Sequence, residues 1–283
     1  MPAEPPVASP RNLEEAYGLL AGTPHQPIAG GTDLMVQITG ELAPPPERVL
    51  DIWRLDELRG IRLDDAALSL GALTTYTDIR RSELCQELVP ALVEAAATIG
   101  AAQIQNRGTI GGNAINASPA GDTLPLLLAT DAELVLGSAR GDRAVAAKDF
   151  WTAYRQTARA PDELLLRIRI PLQTSRQVRF RKVGTRRAQA ISKVVMALGW
   201  RDDGGVWRDV RLALGSVADR PIRAHQTEGV LEGAAPRRET ADHAAATVAA
   251  EIAPIDDVRS TADYRRVVTA RVLHRLLREE GGW

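Results

Sequence analysis

Two glycine-rich segments carry the residue types and spacing that can do chemistry in this chain. The first is Ile28-Ala29-Gly30-Gly31-Thr32-Asp33-Leu34. The second is Gly108-Thr109-Ile110-Gly111-Gly112-Asn113, which continues through Asn116-Ala117-Ser118-Pro119-Ala120-Gly121-Asp122. Each mixes glycine with threonine and a carboxylate or amide. Glycine lets backbone N–H groups approach an anion closely, and a helix starting just beyond adds a favourable dipole. Neither segment reads Gly-x-x-x-x-Gly-Lys-Ser/Thr, which excludes a Walker-type nucleotidase. Neither reads Gly-x-Gly-x-x-Gly after a first strand, so a Rossmann dinucleotide fold has little support. One glycine pair is an ordinary tight turn. Two hydroxyl-bearing loops in one chain point instead to a pyrophosphate or an extended cofactor.

Other reactive groups are scarce. Cys85 is the one cysteine among 283 residues, and the four histidines stand at 25, 225, 243 and 274. A single cysteine makes no internal disulfide, no four-cysteine zinc site and no self-contained iron–sulfur cluster, and the histidines lack His-x-x-x-His spacing. The chain is therefore not expected to hold its own metal, and Cys85 reads as an ordinary small residue. The net charge of −1 hides a split. Residues 1–170 hold 15 Lys/Arg against 22 Asp/Glu, whereas 171–223 hold 12 against 4. A basic middle segment can face an anionic ligand or an acidic partner, or be a solvated sheet face. The Arg-rich stretch 176–187 lacks interleaved aromatics beyond Phe180, which argues against nucleic-acid binding. No 18-residue apolar run is present, and residues 1–10 read as a loose arm without signal-peptide character. The expected location is the cytoplasm.

The elements that must position the loops follow from periodicity and punctuation. Asn12 is placed to cap a first helix, with Glu15 as capping-box partner and Leu13, Ala16, Leu19 and Leu20 as its apolar face; Gly22 ends it. A short strand at 27–29 runs into the first glycine loop, and a helix follows from Leu34. After Pro44-Pro45-Pro46 come strands at 48–52, 61–63 and 67–72, a helix starting at Thr77 or Asp78, and an alanine-rich helix at 90–101. A helix at 123–129 and strands at 132–136 and 163–170 complete the first part. Beyond Pro171, strand-like runs at 178–183, 191–201 and 206–215 precede helix-like runs at 224–232, 237–252 and 261–280. Strands grouped first and helices later predict an α+β domain with helices on one sheet face.

The two glycine loops resemble the paired FAD loops of the flavin subunit in the xanthine dehydrogenase and carbon monoxide dehydrogenase family. Leu70-Gly71-Ala72-Leu73-Thr74-Thr75 lies between them as in that family. Arg181-Lys182-Val183-Gly184-Thr185-Arg186-Arg187-Ala188, Arg220-Pro221-Ile222-Arg223-Ala224 and Tyr264-Arg265-Arg266 are similar to its C-terminal blocks. The resemblance runs along nearly the whole chain. It implies an α+β fold: an FAD-binding region of the vanillyl-alcohol-oxidase/para-cresol-methylhydroxylase type, with subdomains at 1–54 and 55–171, then a sheet-plus-helices domain at 172–283. It also implies non-covalent FAD and an assembly with a molybdopterin-binding large subunit and a small subunit carrying two [2Fe–2S] clusters. In such an assembly electrons reach FAD from the clusters and leave to a terminal acceptor. A stand-alone FAD-dependent oxidoreductase and a non-catalytic FAD-holding subunit remain as alternatives.

Residue by residue, the resemblance places Ile28, Ala29, Gly30, Gly31, Thr32, Asp33 and Leu34 at the cofactor. The amides of Ala29 to Asp33 would hold the pyrophosphate, with Thr32 Oγ a further donor. Thr109, Gly111 and Gly112 would touch the cofactor from the second loop, and Asn113 would support that turn. Asp122 would accept from a ribityl or ribose hydroxyl. Leu165 and Lys182 match positions that flank the cofactor, and Ile99 matches one where relatives can place an aromatic ring. Side chains introduced at Gly31 or Gly111 are expected to fill the pyrophosphate space. From the residues alone, Asp122 could equally cap the 123–129 helix, Lys182 could be an exposed strand charge, and Thr109 and Asn113 could be turn residues.

Overall fold

A computed structural model describes residues 5–172, 176–186 and 189–283. The first four residues of the expected arm, and Arg187 and Ala188 of the C-terminal block, lie outside the described residues. Strands β1 (Val7–Ala8), β2 (Gln26–Ile28) and β3 (Val49–Asp51) form a parallel sheet in the order β1-β3-β2. Parallel strands need a crossover, and the helix Leu13–Gly22 carries the chain from β1 past the place of β3 to β2. Asn12 Oδ1 caps it by accepting from Glu15 N at 2.9 Å. Glu15 reaches one residue further back than the capping-box reading expects, accepting from Arg11 N at 2.9 Å.

Strands β4 (Ile61–Asp64), β5 (Ala67–Gly71), β6 (Glu133–Ser138) and β7 (Gly141–Ala146) join a second sheet. Strands β8 (Trp151–Ala153) and β9 (Gln156–Thr157) make a separate hairpin, and β10 (Leu164–Pro171) returns to the centre of the second sheet. Its order is β4-β5-β10-β6-β7, antiparallel throughout. Both faces are covered. On β6, Leu134 and Leu136 enter a core with Leu92, Ile110 and Phe150, while Val135 between them packs with Leu20, Leu50, Leu55 and Leu58. Burial on two faces explains why these strands read as apolar runs without alternation.

Strands β11 (Arg176–Val183), β12 (Val194–Asp203), β13 (Val206–Gly215) and β14 (Ile222–Arg223) form an antiparallel meander. Val194, Met196, Leu198 and Trp200 of β12 pack on the helices His225–Leu231, Arg238–Glu251 and Ala262–Gly281. The alternate residues Val195 and Ala197, with Phe180, join the core around helix Leu124–Ala129. The expected strands-then-helices arrangement is present, and the second sheet face is also sealed.

Several local expectations change. The helix expected over 90–101 ends at Ala97, where Thr98 Oγ1 donates back to Ala95 O at 2.8 Å and Gly100 turns left-handed at φ +54°. A new helix, Ala102–Arg107, follows. The helix expected to start at Thr77 or Asp78 starts at Tyr76, with Thr75 and Asp78 forming a capping box. The second glycine loop is itself the start of a helix, Ile110–Asn116. Glycine pairs disfavour helix locally, and here the Thr109 cap and packing against Ala72 and β10 override that tendency.

The charge split has a structural cause. Asp131 lies within 3.0 Å of Arg176, 3.2 Å of Arg211 and 3.5 Å of Arg223. Arg179 and Arg181 pair instead with Glu280 and Glu279 of the last helix, at 2.6 and 2.9 Å. The basic segment thus bridges the acidic N-terminal part and the acidic end of the chain.

Candidate functional site

The first glycine loop leaves β2 and enters the helix Leu34–Thr39. Gly31 adopts φ +77°, a left-handed conformation that an L side chain resists. The amides of Ala29, Gly30, Gly31, Thr32 and Asp33 donate to no protein acceptor among the described residues. Consecutive unpaired amides in one turn form a concave donor set suited to an oxyanion.

In the second loop the amides are already engaged. Gly111 N donates to Ala72 O at 3.0 Å, and Gly112 N donates to Thr109 Oγ1 at 2.9 Å. Asn113 Oδ1 accepts from Thr123 Oγ1 at 2.6 Å, so Asn113 braces the turn. A Cβ on Gly111 would stand 2.5 Å from Ala72 O, inside the protein. This corrects the expectation for Gly111: glycine is needed there to seat the helix against the end of β5. Gly30 has the same character, since its Cβ would fall 1.7 Å from Arg107 O. The two loops meet at that contact.

Between them lies a cleft of about 600 Å³. Ile28, Ala29, Gly30, Gly31, Thr32, Asp33, Leu34, Thr109, Gly111, Gly112, Asn113 and Leu165 all line it. Ile99, Asp122 and Lys182 do not. Lys182 of β11 donates from Nζ to Asp122 Oδ2 at 2.6 Å and to Thr98 O at 3.0 Å, which gathers the turn before Ile99, the 118–122 loop and the C-terminal sheet. Both side chains are under a tenth exposed. Lys182 is therefore no exposed strand charge, and the residue before the Leu124–Ala129 helix is Thr123, not Asp122. Asp122 Oδ1 is sealed from solvent and makes no close hydrogen bond, although the Ser192 hydroxyl lies near enough to help hold the carboxylate ionised. Burial pushes the Asp122 carboxyl above its usual range, against the opposing pull of the Lys182 ammonium.

Sequence reasoning missed other residues: Tyr76, Asn116 and Arg155 line the cleft, and Arg107 lines the cavity beside it. Asn116 Nδ2 donates to Asp33 Oδ1 at 3.0 Å and its Oδ1 accepts from Arg155 Nη1 at 2.7 Å. That chain ties the tip of the β8–β9 hairpin to both loops. Arg107 lies 3.8 Å from the centroid of the Trp53 ring, and Arg59 lies 4.6 Å from it. The Thr75-x-x-Asp78 capping box was the available signal for Tyr76; nothing local marked Arg155. A second, mainly apolar cavity of about 1010 Å³ adjoins the cleft through Ile28 to Gly31 and includes Met35, Ile38 and Trp53. Among the described residues no cluster of three potential metal ligands occurs, and no helix is long and apolar enough to cross a membrane.

The donor turn and the cleft it faces suit a phosphate-bearing cofactor. Comparison with known proteins agrees. Residues 3–173 match the family described as FAD binding domain in molybdopterin dehydrogenase. Residues 179–280 match the CO dehydrogenase flavoprotein C-terminal domain. The chain is 35% identical to the glyceraldehyde dehydrogenase medium chain of Sulfolobus acidocaldarius, over 91% of each chain. It is 32% identical to a xanthine dehydrogenase FAD-binding subunit of Escherichia coli, over 95% of each. In structure it is similar to a chain of carbon monoxide dehydrogenase from Hydrogenophaga pseudoflava, with a TM-score of 0.92 at 31% identity, covering 97% and 96% of the two chains.

Proposed function

The chain belongs to the FAD-binding subunits of the molybdenum hydroxylase family that includes xanthine and carbon monoxide dehydrogenases, and from that premise we propose its part in electron transfer. It is an oxidoreductase subunit that holds FAD to take electrons from [2Fe–2S] clusters on a small partner subunit and deliver them to a terminal acceptor. A large partner subunit carries molybdopterin, and the assembly works in the cytoplasm. FAD, when bound, supplies the exchange between single electrons and electron pairs; the protein orients it and tunes its potential.

The observation that carries this reading is the run of unpaired amides from Ala29 to Asp33 facing the cleft. These amides hold the pyrophosphate, and Thr32 Oγ adds a donor. Gly111 and Gly112 contribute close approach, because their own amides are spent on Ala72 and Thr109. Thr109 Oγ1 accepts from Gly112 and retains its proton for donation. Asp122 stands outside the cleft with Oδ1 sealed, so in this reading the Lys182–Asp122 pair fixes the 118–122 loop beside the cofactor. Leu165 and Ile99 supply apolar flanks. In this reading the chain divides into FAD-binding subdomains at 1–54 and 55–171 and a C-terminal domain at 172–283.

The test is isolation of the native protein with metal analysis and subunit sequencing. Co-purification with a molybdenum-containing large chain and an iron–sulfur small chain is the expected result. Recovery of a lone chain with full substrate-reducible flavin would overturn the electron-transfer role and favour a stand-alone flavin oxidoreductase.

A further inference from the structure

Tyr76 is the first residue of the helix Tyr76–Arg81 and is fixed there from several sides. Its N-cap Thr75 accepts from Asp78 N at 3.1 Å, and Asp78 Oδ2 accepts from Thr75 N at 2.9 Å. Tyr76 N donates to Gly108 O at 3.3 Å. The ring lies against Gly108, where even an added Cβ would come within 3.0 Å of Tyr76 Cε2. The side chain is 3% exposed and lines the cleft between the two glycine loops.

Its hydroxyl makes no hydrogen bond to any described residue, yet it is not among the sealed polar atoms. A buried phenol normally finds a partner. Here the ring is held by packing in the wall of the cleft, and the oxygen is left without a partner among the described residues. We propose that the Tyr76 hydroxyl is a further cofactor-binding group, donating a hydrogen bond to an acceptor oxygen of FAD in the cleft. The charges around it suit a donor. Burial, with the nearby Asp122 and Asp33 carboxylates, raises the phenol above its ordinary pKa and keeps it protonated. Tyr76 lines the same cleft as the unpaired amides of the first loop, so its hydroxyl adds a donor to that set.

The inference rests on the proposed FAD-binding reading, and the experiment separates the two. FAD is titrated into the full-length apo chain, wild type and Tyr76→Phe, and the thermal midpoint of each apo protein is recorded. Phenylalanine keeps the ring against Gly108 and removes only the oxygen. The expected result is an FAD Kd raised about five- to tenfold, the range of one lost neutral hydrogen bond, with the apo midpoint unchanged. A Kd within twofold of wild type would overturn the assignment and leave the hydroxyl to water. A wild-type chain that binds no FAD would overturn the underlying reading as well.

Discussion

Lys182→Met keeps the side chain's length and apolar stem while removing its charge. In the native protein Nζ lies 2.6 Å from Asp122 Oδ2 and 3.0 Å from Thr98 O, with both side chains under a tenth exposed. Removing one member of a buried pair strands the other charge, which costs about 3–5 kcal/mol. At about 2.1 cal/mol/K of unfolding entropy per residue, a chain of this size loses roughly 5–8 °C in Tm. The loss depends on pH with a definite sign. Asp122 is already raised above its usual value by burial, and Lys182 is the largest opposing influence. Without Lys182 the folded-state pKa rises further. An acid whose folded pKa exceeds its unfolded value binds protons more tightly when native, so stability is higher in acid and falls as pH rises from the unfolded toward the folded pKa. The Lys182→Met deficit is therefore largest at pH 8 and smaller at pH 5. Adding Asp122→Asn removes the stranded charge and recovers most of the loss at pH 8. Thermal melts of the three proteins at both pH values measure this. A deficit below about 1 kcal/mol at pH 8, or one equal at both pH values, would refute the buried-pair reasoning.

Gly30→Ala places a Cβ 1.7 Å from Arg107 O and forces the two loops apart. It is expected to cost about 1–3 kcal/mol in stability and at least about tenfold in FAD affinity, read by melts and FAD titration. Gly18→Ala, inside the helix Leu13–Gly22 with nothing within 4 Å of the new Cβ, is expected to raise stability by about 0.5–1 kcal/mol in the same melts. Cys85 is fully buried and burial pushes its thiol up, so the native chain is expected to resist a thiol reagent at pH 8 and to react once unfolded.

The legible features were those with strong local causes. Asn12 marked the first helix, the glycine loops fell at the cleft, and the apolar runs of β12 and β13 foretold the meander. What escaped depended on distant partners. The helix at Ile110–Asn116 exists because Thr109 caps it and Gly111 fits beneath Ala72, forty residues away. Gly111 lines the cleft, but what forbids a side chain there is Ala72. Arg155 reaches Asn116 across the hairpin tip, a contact with no periodic signal. The excess of basic residues after 171 became intelligible only once Asp131 was seen to face three arginines from other strands. Tyr76 was hidden by its aromatic character, which reads as core until its place in the cleft wall is known.

The central claim is that this chain holds one non-covalent FAD between its two glycine loops. FAD titration of the purified apo chain, followed by acid denaturation and filtration, tests it most directly. The account predicts saturation at one FAD per chain, with all the flavin released as intact FAD on denaturation. No saturable binding, or flavin that stays attached to the denatured chain, would contradict it.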